Sequence, residues 1–269
     1  MIILAGYAAS PNDGAIMREE LYENFLYYPE ELAAEMPPPE WVRGADEVWM
    51  ETEDGVRIHG LWWPEPAGRP AVLFLHGNAQ DVYSWSLVRE DLEALECRLL
   101  LIDYHGYGKS EGHPHETGLY ADGRAALRWL EERGVPESET VLLGKSLGGA
   151  VACEIARGRN LEGLILESTF TSLASVAREL FPFLSGYSPD PDAYNSVSKL
   201  PEIHCPVLVI HGDADMLIPV GEGLALYEGA NEPKQLYIVK GAGHNDVSLF
   251  TGRDYGATIR TWLDSVEVR

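Results

Sequence analysis

The chain has few basic residues, few cysteines and no long apolar run. Lysine and arginine together number 20, against 43 aspartates and glutamates, so the formal net charge is −23. Proteins that bind nucleic acid or anionic lipid need lysine and arginine to neutralise phosphate groups. The acidic excess therefore argues against a nucleic-acid partner and against docking on an anionic membrane.

The cysteines are too far apart to suggest a metal site or a disulfide framework. They are Cys97, Cys153 and Cys205. We expect all three to be small buried apolar residues in a reducing compartment. The N-terminal stretch MIILAGYAAS is apolar, but the first basic residue is Arg18 and no segment is long enough to span a bilayer. We therefore predict no secretory signal, no membrane span and a cytoplasmic location.

Short apolar runs alternate with helical patterns from Val72 onward. The predicted strands are Val72–Leu75, Leu99–Ile102, Val141–Leu143, Leu161–Leu166, Val207–Ile210 and Gln235–Val239. The predicted helices are Ser84–Leu95, Tyr120–Arg133, Gly149–Arg157, Gly221–Glu228 and Gly256–Val266, with another at Arg18–Leu26. This alternation predicts an α/β fold whose mostly parallel sheet is covered by helices on both faces.

Upstream of this region, the stretch EVWMETEDGVRIHGLWW predicts an antiparallel hairpin that turns at Asp54 and Gly55. We expect a single domain over residues 1–269, with an N-terminal extension at 1–45 and a short cap insert at 168–205. The sequence carries no signal for the oligomeric state.

The stretch TVLLGKSLGGAV, residues 140–151, fits parts of two motifs. A phosphate-binding loop would need a glycine five residues before Gly144, where the chain has Glu139. A second GKS, which begins at Gly108, fails in the same way because Asp103 occupies that position. The alternative motif is G-x-S-x-G, the sharp strand-to-helix turn that exposes a nucleophilic serine. An apolar strand pattern before it and a helical pattern after it favour this interpretation and predict Ser146 as the nucleophile.

A serine nucleophile requires a base, and in chains with this turn the base follows the acid in sequence. The histidines downstream of Ser146 are His204, His211 and His244. His204 precedes a predicted strand and so lies at the wrong edge of the sheet, while His211 ends a strand and is expected to shape a turn. His244 lies in a glycine-rich loop after the last predicted strand, and we predict that it is the base.

Asp215 is the predicted acid, because it follows a strand end by a few residues in the stretch HGDADMLIP. Asp213 is the close competitor and could instead cap the turn, and Glu167 is a third candidate. Asp246 is expected to be a solvated loop residue. For the oxyanion, we predict the backbone N–H groups of Leu147, directly after the serine, and of Asn78, in the loop after the first long strand.

His113 and His115, with His105 nearby, raise the question of a metal site. No acidic or cysteine ligand lies at typical zinc spacing from them, so we expect a surface loop and no metal. The predicted chemistry requires no cofactor.

Several stretches give the chain a specific resemblance to the α/β-hydrolase superfamily, and within it to the Bem46-like branch of ABHD-type serine hydrolases. The stretches are ENFLYYPE, VLFLHGNAQD, LLLIDYHGYGKSEG, VLLGKSLGGAVA, LILESTFTSL, CPVLVIHGDADMLIP and GAGHND. The resemblance implies an α/β-hydrolase fold and a triad of Ser146, Asp215 and His244. The chain departs from many relatives at His105, where they have arginine.

The expected activity is hydrolysis of carboxylic esters with short to medium acyl chains through an acyl-enzyme intermediate. A thioesterase or depalmitoylase-like lipid hydrolase and a serine peptidase or amidase are the alternatives. Aromatic and aliphatic residues of the cap insert could line an acyl pocket or pack the insert onto the body: Phe181, Phe183, Leu184 and Tyr187.

Overall fold

Ten strands and nine α-helices occur in the part of the chain that the structure, a computed structural model, describes: residues 26–180, 190–251 and 254–267. The strands are β1 (Tyr28–Pro29), β2 (Asp46–Glu51), β3 (Arg57–Trp63), β4 (Ala71–Leu75), β5 (Ala79–Gln80), β6 (Arg98–Ile102), β7 (Thr140–Lys145), β8 (Gly163–Glu167), β9 (Val207–Gly212) and β10 (Lys234–Val239). The helices are α1 (Val82–Trp85), α2 (Val88–Asp91), α3 (Glu116–Glu132), α4 (Leu147–Ala156), α5 (Leu173–Leu180), α6 (Ser196–Lys199), α7 (Val220–Gly229), α8 (Val247–Thr251) and α9 (Asp254–Glu267).

Eight of the strands form one sheet in the order β10-β9-β8-β7-β4-β6-β3-β2. Every pair from β10 to β6 is parallel, and only β3 runs against its neighbours β6 and β2. The predicted hairpin is present, and Gly55 adopts a φ of 82° in its turn. The structure confirms the α/β fold that the alternation of strand and helix patterns predicts.

Both faces of the central strands are buried. Successive side chains of a strand point to opposite sides of the sheet, so each of these strands contributes to two cores. Leu73 and Leu75 of β4 pack into the core that α3, α4 and α7 cover. Val72 and Phe74 of the same strand pack into the core on the α9 side. Burial on both faces explains why these strands are continuous apolar runs with no alternation of polar residues.

The predicted helix Ser84–Leu95 is wrong, since α1, α2 and a 3₁₀ turn at Glu93–Leu95 occupy this segment. Asp81 caps α1 by accepting hydrogen bonds from the backbone N–H groups of Tyr83 and Ser84. The Ser86 hydroxyl then donates to the Tyr83 carbonyl at 2.6 Å, a local bond that competes with continued helix. The interruption places short helices, with their side chains, beside the carboxyl end of β4.

A two-stranded parallel sheet of β1 and β5 joins the N-terminal segment to the loop after β4. Tyr28 donates a backbone hydrogen bond to the Asn78 carbonyl, and the Asn78 side-chain amide donates to the Leu26 carbonyl. The sequence pattern does not predict this attachment. Apart from Leu26, the predicted helix Arg18–Leu26 lies outside the described residues.

Helices α5 and α6 belong to the predicted cap insert. The four residues that the sequence suggests for an acyl pocket lie outside the described part of the chain: Phe181, Phe183, Leu184 and Tyr187. All three cysteines are free and buried, as predicted. Burial raises the pKa of the Cys153 thiol to about 12. No helix within residues 26–180, 190–251 and 254–267 has the length and apolar character required to cross a bilayer.

Candidate active site

Ser146 lies in a strained turn between β7 and α4. Its φ of 53° and ψ of −120° fall in a region that side-chain-bearing residues rarely adopt. The turn also brings backbones close together, because a Cβ at Gly148 would lie 1.9 Å from the Leu75 carbonyl oxygen. A Cβ at Gly149 would lie 2.4 Å from the Thr169 hydroxyl oxygen. Gly148 and Gly149 are therefore required for strand and helix to approach with the serine between them.

Two hydrogen bonds connect Ser146 with a histidine and a carboxylate. The distance between His244 Nε2 and the Ser146 Oγ is 3.1 Å, within range of proton transfer. On the other side of the ring, His244 Nδ1 lies 2.8 Å from Asp215 Oδ2. His244 is in the loop after β10 and Asp215 in the loop after β9, so the carboxyl ends of three parallel strands bring the set together. The structure assembles the three residues that the sequence predicts; their catalytic roles stay a prediction.

The two carboxylate oxygens of Asp215 have different partners. Oδ1 accepts backbone hydrogen bonds from Leu217 at 2.9 Å and Ile218 at 2.8 Å, which fixes the turn. Oδ2 faces His244 and also lies 3.5 Å from the Nε2 of buried His211. Burial alone would raise the pKa of this carboxyl, but the hydrogen bonds from His211 and His244 prevail and hold it well below its usual range. Asp215 is therefore ionised at neutral pH and favours His244 with its proton on Nδ1.

Two backbone N–H groups on segments that border Ser146 have no hydrogen-bond acceptor within the described part of the chain. One belongs to Leu147, the first residue of α4, where helix geometry supplies no intrahelical acceptor. The other belongs to Asn78, whose carbonyl accepts hydrogen bonds from the Tyr28 backbone and the Tyr107 hydroxyl. Those contacts fix the loop that carries the Asn78 N–H. An oxyanion hole requires free donors of this kind, and the assignment of these two groups to one stays a prediction.

A cleft of about 690 Å³ opens onto Ser146 and His244. Its apolar lining includes Phe74, Trp85, Leu87, Val88 and Leu217. Its polar lining includes Asp91, Lys145, Glu167, Ser248 and Tyr255. Pockets that combine apolar walls with a few polar groups beside strained or titratable residues are typical of substrate sites.

Comparisons with known proteins agree with the fold. A family model described as the alpha/beta hydrolase fold matches residues 70–190. The alpha/beta hydrolase domain-containing protein WAV2 of Arabidopsis thaliana is 31% identical over 247 residues, covering 83% of this chain and 75% of that protein. The chain belongs to the α/β-hydrolase family.

A bacterial protein and a solved structure are also similar to this α/β-hydrolase. An uncharacterized protein of Mycobacterium tuberculosis is 40% identical over 225 residues, covering 82% of this chain and 80% of that protein. The solved structure of a Pyrococcus furiosus esterase superposes with a TM-score of 0.73 at 20% identity, covering 89% of this chain and 98% of that chain. The sequence-based resemblance to the superfamily is thus confirmed.

The competing acids of this α/β-hydrolase bind partners other than His244. Asp213 accepts a hydrogen bond from the Gly241 backbone at 2.5 Å and ties the loops after β9 and β10 together. Glu167 pairs with Lys145. Asp246, predicted to be merely solvated, is half-buried and accepts a hydrogen bond from the Gly243 backbone at 2.5 Å. Asp246 therefore shapes the loop that carries His244.

His211 contacts the carboxylate of Asp215, and the sequence does not predict this contact. His211 is the second-last residue of β9 and is fully buried, and its Nε2 lies 2.8 Å from the Ile218 carbonyl oxygen. The expectation that it shapes a turn is correct, since Ile218 belongs to the turn that Asp215 caps. Its contact with Asp215 adds a direct effect on the charge of that carboxylate. The spacing of four residues between His211 and Asp215 is the only signal in the sequence.

His105 is buried between two carboxylates. No group of three or more metal-ligating residues occurs among the residues that the structure describes. His105 Nδ1 lies 2.6 Å from Asp122 Oδ1, and its Nε2 lies 3.3 Å from Asp54 Oδ2 on the hairpin. Burial lowers the pKa of His105, but the hydrogen bonds and charges of Asp122 and Asp54 outweigh it and raise the pKa overall. The raised pKa favours the protonated form of His105 between these two carboxylates.

We expect His105→Gln to lower the free energy of unfolding by about 2 kcal/mol at pH below ~6.5, where the native histidine carries its charge. A raised folded-state pKa stabilises the protein below the unfolded pKa, and this stabilisation is lost as pH rises through the folded pKa. The destabilisation should therefore shrink in alkaline solution. Denaturant unfolding at acidic and alkaline pH measures it, with His204→Gln at an exposed site as the matched control. Equal destabilisation at both pH values would contradict the assignment.

Proposed function

We propose that this α/β-hydrolase is a serine hydrolase that cleaves carboxylic esters of short to medium acyl chains through an acyl-enzyme intermediate. The observation that carries the proposal is the hydrogen-bonded series from the Ser146 hydroxyl through His244 to Asp215. The free N–H groups of Leu147 and Asn78 support it. The Pyrococcus furiosus structure is that of an esterase, which is compatible with the proposal although the identity is only 20%.

In the first half of the reaction, the Ser146 oxygen attacks the ester carbonyl carbon while its proton passes to His244 Nε2. The Leu147 and Asn78 N–H groups stabilise the negative charge that develops on the carbonyl oxygen. Asp215 holds the ring in the tautomer with a free Nε2 lone pair and stabilises the imidazolium that forms. The tetrahedral intermediate then breaks its bond to the alcohol oxygen, which leaves with the proton from His244.

In the second half, a water molecule attacks the acyl-enzyme carbonyl while His244 accepts a proton from it. Collapse of the second tetrahedral intermediate breaks the bond to the Ser146 oxygen and releases the carboxylic acid. His244 returns its proton to Ser146, so the enzyme ends in its starting state. Every step uses only residues of the chain and water. We further propose that the chain acts as one domain in the cytoplasm, with residues 168–205 as a cap and without a nucleic-acid partner.

We expect kcat/KM to be highest for acyl chains of moderate length and to fall for long chains. The insert after Glu167 is short, so it supplies a limited apolar wall, and each buried CH₂ contributes about 0.8 kcal/mol. A series of p-nitrophenyl esters from acetate to palmitate measures this dependence. A steady rise of kcat/KM to palmitate would show a long acyl tunnel and contradict the proposal.

One observation favours the second candidate, a thioesterase or lipid hydrolase. Large apolar side chains are exposed on the segments that border the cleft: Leu87, Met216, Leu217, Leu249 and Phe250. Leu87 and Leu217 line the cleft itself. A surface of this kind suits long acyl chains, so acyl thioesters belong in the same substrate series. Faster hydrolysis of a long-chain thioester than of any oxygen ester would favour this candidate.

A further inference from the structure

A cluster of polar side chains lies in the cleft beside Ser146 and has no part in the relay to His244. Its members are Asp91, Lys145, Glu167, Ser248 and Tyr255. They come from α2, β7, β8, α8 and α9, so five elements converge on one part of the cleft. Lys145 directly precedes Ser146, which places the cluster next to the proposed reacting carbonyl.

Lys145 has unused donors. Its side chain is 10% exposed, and its ammonium donates a hydrogen bond to Glu167 Oε1. An ammonium group has three N–H donors, and among the described residues Glu167 is the only hydrogen-bond acceptor that Lys145 reaches. Since the side chain lines the cleft, its remaining donors are available to a substrate oxygen.

Neighbouring hydroxyl groups fix the two carboxylates of the cluster, Glu167 and Asp91, close to Lys145. The second oxygen of Glu167 accepts a hydrogen bond from the hydroxyl of buried Tyr255. Asp91 is half-buried and accepts a hydrogen bond from the Ser248 hydroxyl. Its carboxyl lies close enough to Glu167 and Lys145 for their charges to affect its pKa. Asp91 thus presents a carboxylate to the cleft near the Lys145 ammonium.

The charges of the cluster determine which groups fit. One ammonium and two carboxylates leave a net negative charge, which disfavours a substrate carboxylate or phosphate, as does the protein's charge of −23. A hydroxyl group both accepts and donates hydrogen bonds, so it can accept from Lys145 and donate to Asp91. An alkyl group there would leave these polar groups unpaired when it displaced water, at a cost in binding.

We propose that the cluster of Asp91, Lys145 and Glu167 is a subsite for the hydroxyl-bearing alcohol part of a polyol ester. The apolar lining of the cleft then receives the acyl chain. This inference rests on the proposed esterase function and names its substrate class. Lys145 and Asp91 contact the substrate directly in this arrangement, while Tyr255 and Ser248 position the two carboxylates.

The test compares two esters of the same acid, glycerol 1-monobutyrate and n-propyl butyrate, which differ only in the hydroxyl groups of the alcohol. We expect the wild-type protein to prefer the glycerol ester in kcat/KM by about tenfold or more, an equivalent of ~1.4 kcal/mol. Lys145→Met and Asp91→Leu should each remove most of this preference, mainly through a higher KM for the glycerol ester. Asp264→Leu, at an exposed site on α9, is the matched control and should keep the preference.

The outcomes separate this inference from the esterase proposal. Hydrolysis of n-propyl butyrate at a kcat/KM equal to or above that of the glycerol ester would overturn the subsite and leave the esterase standing. An equal loss for both esters in the two variants would show a purely structural cluster and also overturn it. Failure of the folded wild-type protein to hydrolyse either ester would overturn both. The wild-type comparison does not depend on whether the variants fold, and thermal unfolding monitors their stability.

Discussion

Replacing Ser146 by alanine is expected to lower the turnover of a carboxylic ester by about 10⁴-fold or more. The substitution removes the oxygen that forms the acyl bond and leaves the elbow, the oxyanion donors and the cleft in place. His244→Ala should cost a similar factor, because the serine hydroxyl then has no base at 3.1 Å. The double variant should be little worse than either single variant, since the residues act as a unit.

Two matched variants control for effects on the fold. Ser265→Ala changes an exposed serine near the end of α9, and His204→Ala changes an exposed histidine before β9. Both should retain near-normal kcat/KM. Ser110, the serine of the second GKS stretch, is a poor control. Its hydroxyl accepts a hydrogen bond from the His59 backbone and donates one to the Asp103 carbonyl, so its removal would disturb the fold. Near-normal turnover by purified, folded Ser146→Ala would contradict the proposed mechanism.

Asp215→Asn should lower turnover by about 10⁴-fold, whereas Asp213→Asn should have a small effect. The asparagine keeps an oxygen that can accept from Leu217 and Ile218, so the turn is retained. Its NH₂ group would face His244 Nδ1 and favour the tautomer whose Nε2 carries the proton. That histidine cannot accept the proton of Ser146. Asp213 contacts the Gly241 backbone and not His244, so its amide variant leaves the relay unchanged.

Turnover and unfolding should be measured together for this pair. The free energy of unfolding of Asp215→Asn should change far less than its activity, since the acceptor of the turn is preserved. If Asp213→Asn lost more activity than Asp215→Asn, the assignment of the acid would be wrong. Equal and severe loss of stability in both variants would show that the loops, and not the tautomer, control the rate.

Much of the fold could be predicted because it depends on local patterns. Continuous apolar runs such as Val207–Ile210 identify strands that are buried on both faces, and the structure places β9 at Val207–Gly212. The error at Ser84–Leu95 has a local cause that hydrophobic periodicity ignores. There, Asp81 caps the start of α1, and the Ser86 hydroxyl bonds the Tyr83 carbonyl, which competes with continuation of that helix beyond one turn.

The residues of the candidate site likewise fall into those that local sequence patterns predict and those that depend on long-range contacts. Ser146 is predicted from a short motif, and Asp215 and His244 follow from their places after strand ends. The polar cluster around Lys145, Asp91 and Glu167 is not predicted, because it depends on contacts between residues that are distant in sequence. Tyr255 and Glu167 are 88 positions apart, and no spacing pattern connects them. The attachment of Asn78 to Leu26 is a contact of the same kind, across 52 positions.

Covalent trapping of Ser146 tests the proposed nucleophile most directly. An alkyl fluorophosphonate phosphonylates activated serines, with the serine oxygen replacing fluoride on phosphorus. Intact-protein mass spectrometry should show one added phosphonyl group, with loss of esterase activity in proportion, and peptide mapping should place it on Ser146. Ser146→Ala should stay unlabelled, and Asp215→Asn should label far more slowly than wild type. Absence of labelling in the folded wild-type protein, or labelling of another serine that abolishes activity, would contradict the proposal.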